Sequence, residues 1–188
     1  KKKKKSTRSD VLLIFKFFCH YKCISDISNC FIKIYRILFL IPAAVSVCGQ
    51  KKEGCVIAVE RNEKRYRVLQ KLLYKHCGQD LESSGNLKIV HSDFLQLNPE
   101  NFTEVEYMIV DPTCSGSGAE DSPHFKNSKE SKAERLSKLA NLQSTILQHA
   151  FKFPGLKKLA YSTCSINVEE NENVVNDVLK HTGCAIMM

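Results

Sequence analysis

Two cysteines fifty positions apart carry the chemical potential of this chain. Cys114 lies within Asp111-Pro112-Thr113-Cys114-Ser115-Gly116-Ser117-Gly118, and Cys164 within Tyr161-Ser162-Thr163-Cys164-Ser165. Each follows an apolar, strand-like run, Tyr107 to Val110 for the first and Leu156 to Ala160 for the second. In open parallel sheets, side chains just beyond the strand ends line the ligand crevice. Two thiols and the Asp111 carboxylate are therefore expected to face a common site. That combination suits an enzyme that forms and then breaks a thioether bond to its substrate.

An acid directly before a proline is held extended, which aims Asp111 out of its strand and into the crevice. Ser115 to Gly118 then allows a tight turn with close backbone approach to a substrate. A simple Asx-turn closing the strand accounts for Asp111 and the glycines, but not for a cysteine between them. Cys164 precedes a helix expected to begin near Asn167, and a thiol close to a helix N-terminus is favoured as the nucleophilic thiolate. A buried structural cysteine is the commoner fate of the residue type. The matching signature around Cys114 tips the reading towards chemistry at both.

Two further acids stand at strand ends. Glu60 follows Cys55-Val56-Ile57-Ala58-Val59, where a carboxylate can accept both ribose hydroxyl hydrogens of a nucleotide. Asp93 follows Leu87-Lys88-Ile89-Val90-His91-Ser92 and could accept an adenine amino hydrogen. Each reads equally well as a solvated strand-end carboxylate or a helix cap. Arg65, one turn into the next helix, is more often a surface residue than a ligand.

The elements that must position these groups alternate. Strands are expected at 55–60, 87–90, 106–110 and 158–162, and Asn62 can cap a helix carrying Tyr66, Leu69, Leu73 and Cys77 on one face. A helix over about 132–151 presents Leu136, Leu139, Leu142, Ile146 and Ala150, and a last helix spans 168–180. Strands alternating with helices at this spacing predict an α/β fold of right-handed βαβ units around a parallel sheet. Residues 119–130 are polar and read as a loop.

Residues 1–48 differ: five opening lysines, then runs rich in Phe, Ile, Lys and Cys with no period of 2 or 3.6. The uncharged stretch from Ile37 to Gln50 is shorter than the roughly 20 residues of a spanning helix, so no stable membrane insertion is expected. A signal peptide ending near Ala43-Ala44-Val45-Ser46 is conceivable, but the broken apolar runs count against it. A fragment, or translated sequence from outside the true frame, is the more economical account. All excess basicity sits here: residues 1–52 hold 12 Lys and Arg against 2 acids, and residues 53–188 hold 16 against 18. High overall charge therefore says nothing about nucleic acid. Nine cysteines, an odd number without zinc-ribbon spacing, argue against a disulfide framework or metal site and for a reduced, intracellular protein.

From about Gly54 to Val178 the chain resembles the NSUN, or RsmB/Sun-type, RNA cytosine-5 methyltransferases, which carry Asp-Pro-x-Cys-Ser-Gly-x-Gly and Thr-Cys-Ser segments. It looks most similar to the fifth NSUN member, which acts on large-subunit ribosomal RNA. That subgroup accepts a small hydroxyl residue as at Thr113, the Tyr-Ser-Thr-Cys-Ser wording and an Asn/Glu-rich helix start, here residues 169–175. The resemblance implies a Rossmann-like sheet with helices on both faces, incomplete here, with residues 49–188 a partial catalytic domain and 1–48 outside the match. It implies S-adenosylmethionine as cofactor, RNA as partner and a nuclear or nucleolar location. Cys164 would attack C6 of an extruded cytosine, Asp111 would bond the ring near N3, and Cys114 would assist loss of the C5 proton and release of Cys164. Glu60, Arg65 and Asp93 match cofactor positions, with Glu60 replacing the more usual Asp, and Asp111 is counted with them.

The family's Gly-rich loop after its first strand is missing, and Ile41-Pro42-Ala43-Ala44 is not a disguised version of it. The first strand, that loop and its helix are expected to be replaced by residues 1–48. The family's N-terminal RNA-binding region and closing strands are expected to lie outside these 188 residues. Three readings follow: a methyltransferase fragment, an inactive remnant that at most binds RNA, or a secreted or membrane-attached protein led by residues 1–48. Lys126, Lys129, Lys132, Arg135 and Lys138 could form a phosphate-binding stripe, or with Glu130 and Glu134 a solvated mixed-charge face.

Overall fold

The computed structural model describes residues 10–13, 31–34, 55–77, 87–118, 131–182 and 185–187. Among these residues seven strands form one sheet: β1 (Asp10–Leu13), β2 (Phe31–Ile34), β3 (Val56–Glu60), β4 (Leu87–His91), β5 (Tyr107–Val110), β6 (Lys158–Tyr161) and β7 (Ala185–Met187). Among the described residues three α-helices accompany them, α1 (Glu63–Cys77), α2 (Lys132–Ala150) and α3 (Glu172–Thr182). The spatial order is β4-β3-β2-β5-β6-β1-β7, and every paired neighbour runs parallel. The α/β class and parallel sheet expected from the alternating pattern are thus present.

Parallel strands covered on both faces read as continuous apolar runs rather than alternating ones. β3 shows this most clearly, all five of its residues being buried. Met108, Val110, Leu159 and Tyr161 from β5 and β6 join Phe94, Phe102, Ile146, Leu147, Phe153, Val174, Val175 and Val178 in one core. α1 packs against β3 and β4, and α2 packs against α3. Phe94 and Phe153 stack with centroids 5.6 Å apart, and the His149 ring meets Phe94 edge-on at 5.0 Å. His149 Nε2 also bonds the Leu97 carbonyl at 3.1 Å. These contacts tie the segment after β4 to the end of α2.

Several expectations are corrected. Phe31–Ile34 occupies the central slot between β3 and β5, and Asp10–Leu13 pairs with β6 and β7, so the sheet draws two strands from the segment before residue 49. Their runs, Asp-Val-Leu-Leu and Phe-Ile-Lys-Ile, are too short to show a period. The stripe of α2 is rotated from the expected one: Leu136, Gln143, Ile146, Leu147 and Ala150 are buried, whereas Leu142 is exposed. The last helix is split into a 3-10 turn, Val168–Glu170, and α3. The signal-peptide stretch, residues 119–130, the Cys77 side chain and the lysines 126 and 129 lie outside what is described.

Candidate active site

The strand order reverses between β2 and β5. β3 and β4 step outward on one side of β2, and β6 lies beyond β5 on the other. In such sheets the ligand crevice opens at the carboxyl ends beside this switch point. The register row Val59, Ile34, Val110 and Tyr161 crosses it. One residue further along lie Glu60 on β3 and Asp111 after β5, and the chain leaving β6 reaches Cys164 three residues after Tyr161. Glu60, Asp93, Asp111, Cys114 and Cys164 thus all stand at the carboxyl edge of four strands.

The two thiols meet. Cys114 Sγ lies 2.8 Å from Cys164 Sγ, and the Cys164 N–H donates to Cys114 Sγ at 3.3 Å. Both are free cysteines. Burial, then the hydrogen bond to Cys164, pushes the Cys114 thiol up to about 12. Either sulfur can donate in this contact, and Cys114 holds its own proton more tightly than an ordinary thiol does. Cys164 precedes α3 by eight residues and the 3-10 turn by four, so a helix terminus does not adjoin the thiol as expected; Cys114 and the loop backbone do.

Two loops carry the thiols, and their backbones interlock. The Gly118 N–H donates to the Cys164 carbonyl at 3.0 Å, and the Ser162 N–H to the Val110 carbonyl at 2.9 Å. Gly116 has φ 72°, a left-handed conformation that glycine adopts without strain. A Cβ at Gly118 would lie 3.0 Å from the Cys164 carbonyl oxygen. The glycines of the first signature thus turn the loop and let it lie against the second.

Beneath the thiols is a polar cluster that the motifs did not reveal. Glu170 has no solvent exposure. Its Oε1 accepts from the Ser115 N–H at 2.8 Å and Gln143 Nε2 at 3.0 Å. Its Oε2 accepts from Ser165 Oγ at 2.5 Å and Asn167 Nδ2 at 3.3 Å. Burial pushes the Glu170 carboxyl up, but the donors on Ser115, Ser165 and Gln143 outweigh it and hold the group below the usual carboxylate range. Tyr161 donates its hydroxyl to the Glu170 carbonyl at 2.8 Å, and burial, then the Glu170 charge, pushes that phenol far up. Two signals were legible: a glutamine inside the apolar stripe of α2, and the acid-rich start of the last helix.

The acids at the nucleotide edge are engaged. Glu60 Oε1 accepts from the Asn62 N–H at 2.6 Å and Arg65 Nη2 at 2.9 Å, and Oε2 from Arg65 Nε at 3.0 Å. Asn62 also caps α1, its Oδ1 accepting from the Arg65 N–H at 3.1 Å. Arg65 is thus a two-pronged partner of Glu60. Asp93 Oδ1 accepts from the Leu95 N–H at 3.0 Å, closing the 3-10 turn Phe94–Gln96, and Oδ2 pairs with Arg61 at 3.1 Å. Among the described residues, no group of three or more His, Cys, Asp or Glu side chains could hold a metal, and no helix is long and apolar enough to cross a membrane.

A 28S rRNA (cytosine-C(5))-methyltransferase of Drosophila melanogaster is 42% identical over 139 residues, covering 72% of this chain and 30% of its own. The 26S rRNA (cytosine-C(5))-methyltransferase nsun-5 of Caenorhabditis elegans is 40% identical over 134 residues, covering 70% and 29%. The chain therefore spans about 30% of the length of these relatives. In fold, the crystal structure of NSun6 from Pyrococcus horikoshii with SFG is similar at a TM-score of 0.63 and 16% identity, covering 86% of this chain and 40% of that one. The sequence signature of the 16S rRNA methyltransferases RsmB/F matches residues 45–186. A match over more than half of its length makes this chain a member of the RsmB/F rRNA methyltransferase family.

Proposed function

We propose that residues 49–188 carry the catalytic part of an S-adenosylmethionine-dependent RNA cytosine-5 methyltransferase, with ribosomal RNA of the large subunit as substrate and the nucleolus as its place of action. The observation that supports this most directly is the pair of thiols 2.8 Å apart at the carboxyl edge of the sheet. One thiol alone suffices to form a covalent adduct; a second beside it suits a reaction in which the adduct must also be released.

Cys164 attacks C6 of a cytosine drawn out of its stack, which makes C5 nucleophilic. Asp111 bonds the ring near N3 and offsets charge as it develops there. Cys114 assists removal of the C5 proton after methylation, and elimination of Cys164 from C6 regenerates the free thiol. S-adenosylmethionine, when bound, supplies the electrophilic methyl group. Its fit is supported at the adenosine end: Glu60 and Asp93 are acceptor-only carboxylates at the ends of adjacent strands. Glu60 Oε2 and both Asp93 oxygens each accept a single bond among the described residues, which leaves acceptor capacity for a ribose hydroxyl and an adenine amino group. The related fold crystallised with SFG, an S-adenosylmethionine analogue, supports the same cofactor class.

A second reading, an inactive remnant that at most binds RNA, is favoured by the stretch that follows β2. No glycine occurs before Gly49, so the sequence there lacks the residue type a Gly-rich loop is built from. Calorimetric titration with S-adenosylmethionine separates the two readings, alongside a Glu60→Ala/Asp111→Ala control. Binding that the control loses supports the enzyme; no binding by a folded chain supports the remnant. With an rRNA fragment and cofactor, Cys164→Ala should form no covalent RNA complex, and Cys114→Ala should accumulate one.

A further inference from the structure

We infer that Glu170 is the positioning residue of the two-thiol site, an ionised buried carboxylate that clamps both cysteine loops to each other and to α2. The inference deepens the reading above and rests on it only for the purpose the thiols serve. Three features carry it.

An ionised carboxylate has about four lone-pair sites and no hydrogen to give. At Glu170 four donors fill them: Ser115 N–H, Gln143 Nε2, Ser165 Oγ and Asn167 Nδ2. Ser115 directly follows Cys114 and Ser165 directly follows Cys164, so one carboxylate holds the residue next to each thiol. Gln143 supplies the third leg, because its Nε2 also donates to the Thr113 carbonyl at 3.0 Å. Two hydrogens thus fix the near side of the first loop.

The remaining contacts brace the same frame. Asn167 Nδ2 lies 3.0 Å from Ser115 Oγ, 3.0 Å from Ser117 Oγ and 3.1 Å from Ser165 Oγ. Asn171, adjoining Glu170, donates to the Ser165 and Asn167 carbonyls at 3.1 and 2.9 Å and accepts from Thr163 Oγ1 at 2.5 Å. Glu170, Gln143, Ser115, Ser165 and Asn171 are all buried. What they determine is the relative position of Cys114 and Cys164. The Gln143 orientation is forced, since turning its amide would set an oxygen against both the Thr113 carbonyl and Glu170. Gln143 Oε1 is accordingly buried without a partner among the described residues. Leaving that oxygen unpaired costs free energy, which the two bonds donated by the same amide offset.

The test needs neither cofactor nor RNA. The chain and its Glu170→Gln, Glu170→Asp and Ser165→Ala variants are treated with diamide. Its azo group takes two electrons and two protons from a thiol pair and becomes a hydrazine, leaving a disulfide. The Cys114–Cys164 linkage is followed over time by peptide mass mapping, with thermal unfolding measured on the same samples. Glu170→Gln keeps the shape but turns an amide N–H₂ against existing donors, so its linkage should form about tenfold or more slowly as the thiols lose alignment. Glu170→Asp keeps the charge and should recover much of the rate, although both variants melt below the parent. Ser165→Ala should fall between.

Equal rates in all four proteins, or slowing that follows melting temperature alone without separating Gln from Asp, overturn the inference. Should Glu170→Gln fail to fold, Ser165→Ala decides: slower linkage upholds the clamp and an unchanged rate removes it. A chain that methylates no RNA yet shows this dependence loses the proposed reaction and keeps the clamp, and the reverse pattern has the reverse meaning.

Discussion

The backbone of Gly118 rests on the backbone of Cys164: its N–H donates to the Cys164 carbonyl at 3.0 Å, and a Cβ at Gly118 would lie 3.0 Å from that oxygen and 3.4 Å from Ile166 Cγ2. Contact at this distance leaves little room for any side chain. Gly118→Ala should therefore push the two loops apart by a few tenths of an ångström and weaken the pairing of the thiols. Gly116→Ala acts differently, through its φ of 72°, and should cost about 1–2 kcal/mol of stability. Urea unfolding of both variants checks this. A stability loss for Gly116→Ala below a few tenths of a kcal/mol would show that the turn relaxes.

Thiol chemistry at Cys114 should be strongly pH-dependent. Its proton is held up to about 12 by burial and by the hydrogen bond to Cys164. The sign follows from linkage: a thiol raised above its unfolded value contributes stability below the ordinary range of about 8.5 and loses it as pH rises towards the folded value. Alkylation mapped by mass spectrometry should label Cys114 slowly at neutral pH and keep accelerating well above the ordinary thiol range. In Cys164→Ala the midpoint should fall, because one cause of the shift is gone while burial remains.

Acid should loosen the site through Glu170. Its carboxyl is held below the usual range despite burial, so its contribution is fully present above the ordinary carboxylate value. That contribution is lost as pH falls through the ordinary value of about 4.3 and on through the depressed one. Thermal unfolding between neutral pH and about pH 3 should show a decline whose slope is shallower in Glu170→Gln. Identical slopes in the two proteins would assign the acid sensitivity elsewhere.

Arg65 should act on cofactor binding through Glu60. It grips both carboxylate oxygens, and although its own side chain is 45% exposed that of Glu60 is only 6% exposed, so breaking the pair should cost more than the roughly 1 kcal/mol of a fully exposed one. Calorimetry with S-adenosylmethionine should show binding abolished in Glu60→Ala and weakened about tenfold in Arg65→Ala, through a Glu60 no longer held in place. Arg65→Lys should resemble Arg65→Ala, since an ammonium cannot reproduce a two-pronged contact. Full affinity in Arg65→Lys would show that charge alone is enough.

Much of the fold was legible because the forces behind it are local. β3 to β6 announce themselves as apolar runs ended by acids or turn residues. α1 announces itself by Asn62 and its spaced apolar residues, and α2 by its length and apolar stripe, while the reciprocal cap of Ser131 and Glu134 at its start is a finding of the structure. β1 and β2 escaped notice. A four-residue parallel strand gains its stability from neighbours brought in by the rest of the chain, and nothing in four residues records those neighbours. The rotated face of α2 has a similar origin: Gln143 is buried and Leu142 exposed because a carboxylate 27 residues later requires an amide donor.

The sequence by itself determined the chemistry available: two cysteines in paired signatures, an acid before a proline, glycines where loops must turn, and carboxylates after strands. These follow from residue type and immediate context, which the chain carries along its length. Only the tertiary structure decided how the groups stand to one another. It set the thiols at 2.8 Å, raised the Cys114 thiol by burial, paired Arg65 with Glu60 and filled the lone pairs of Glu170. Those outcomes depend on burial and on distances between segments far apart in the chain, and electrostatic and hydrogen-bond energies are decided by such distances and not by order along the backbone.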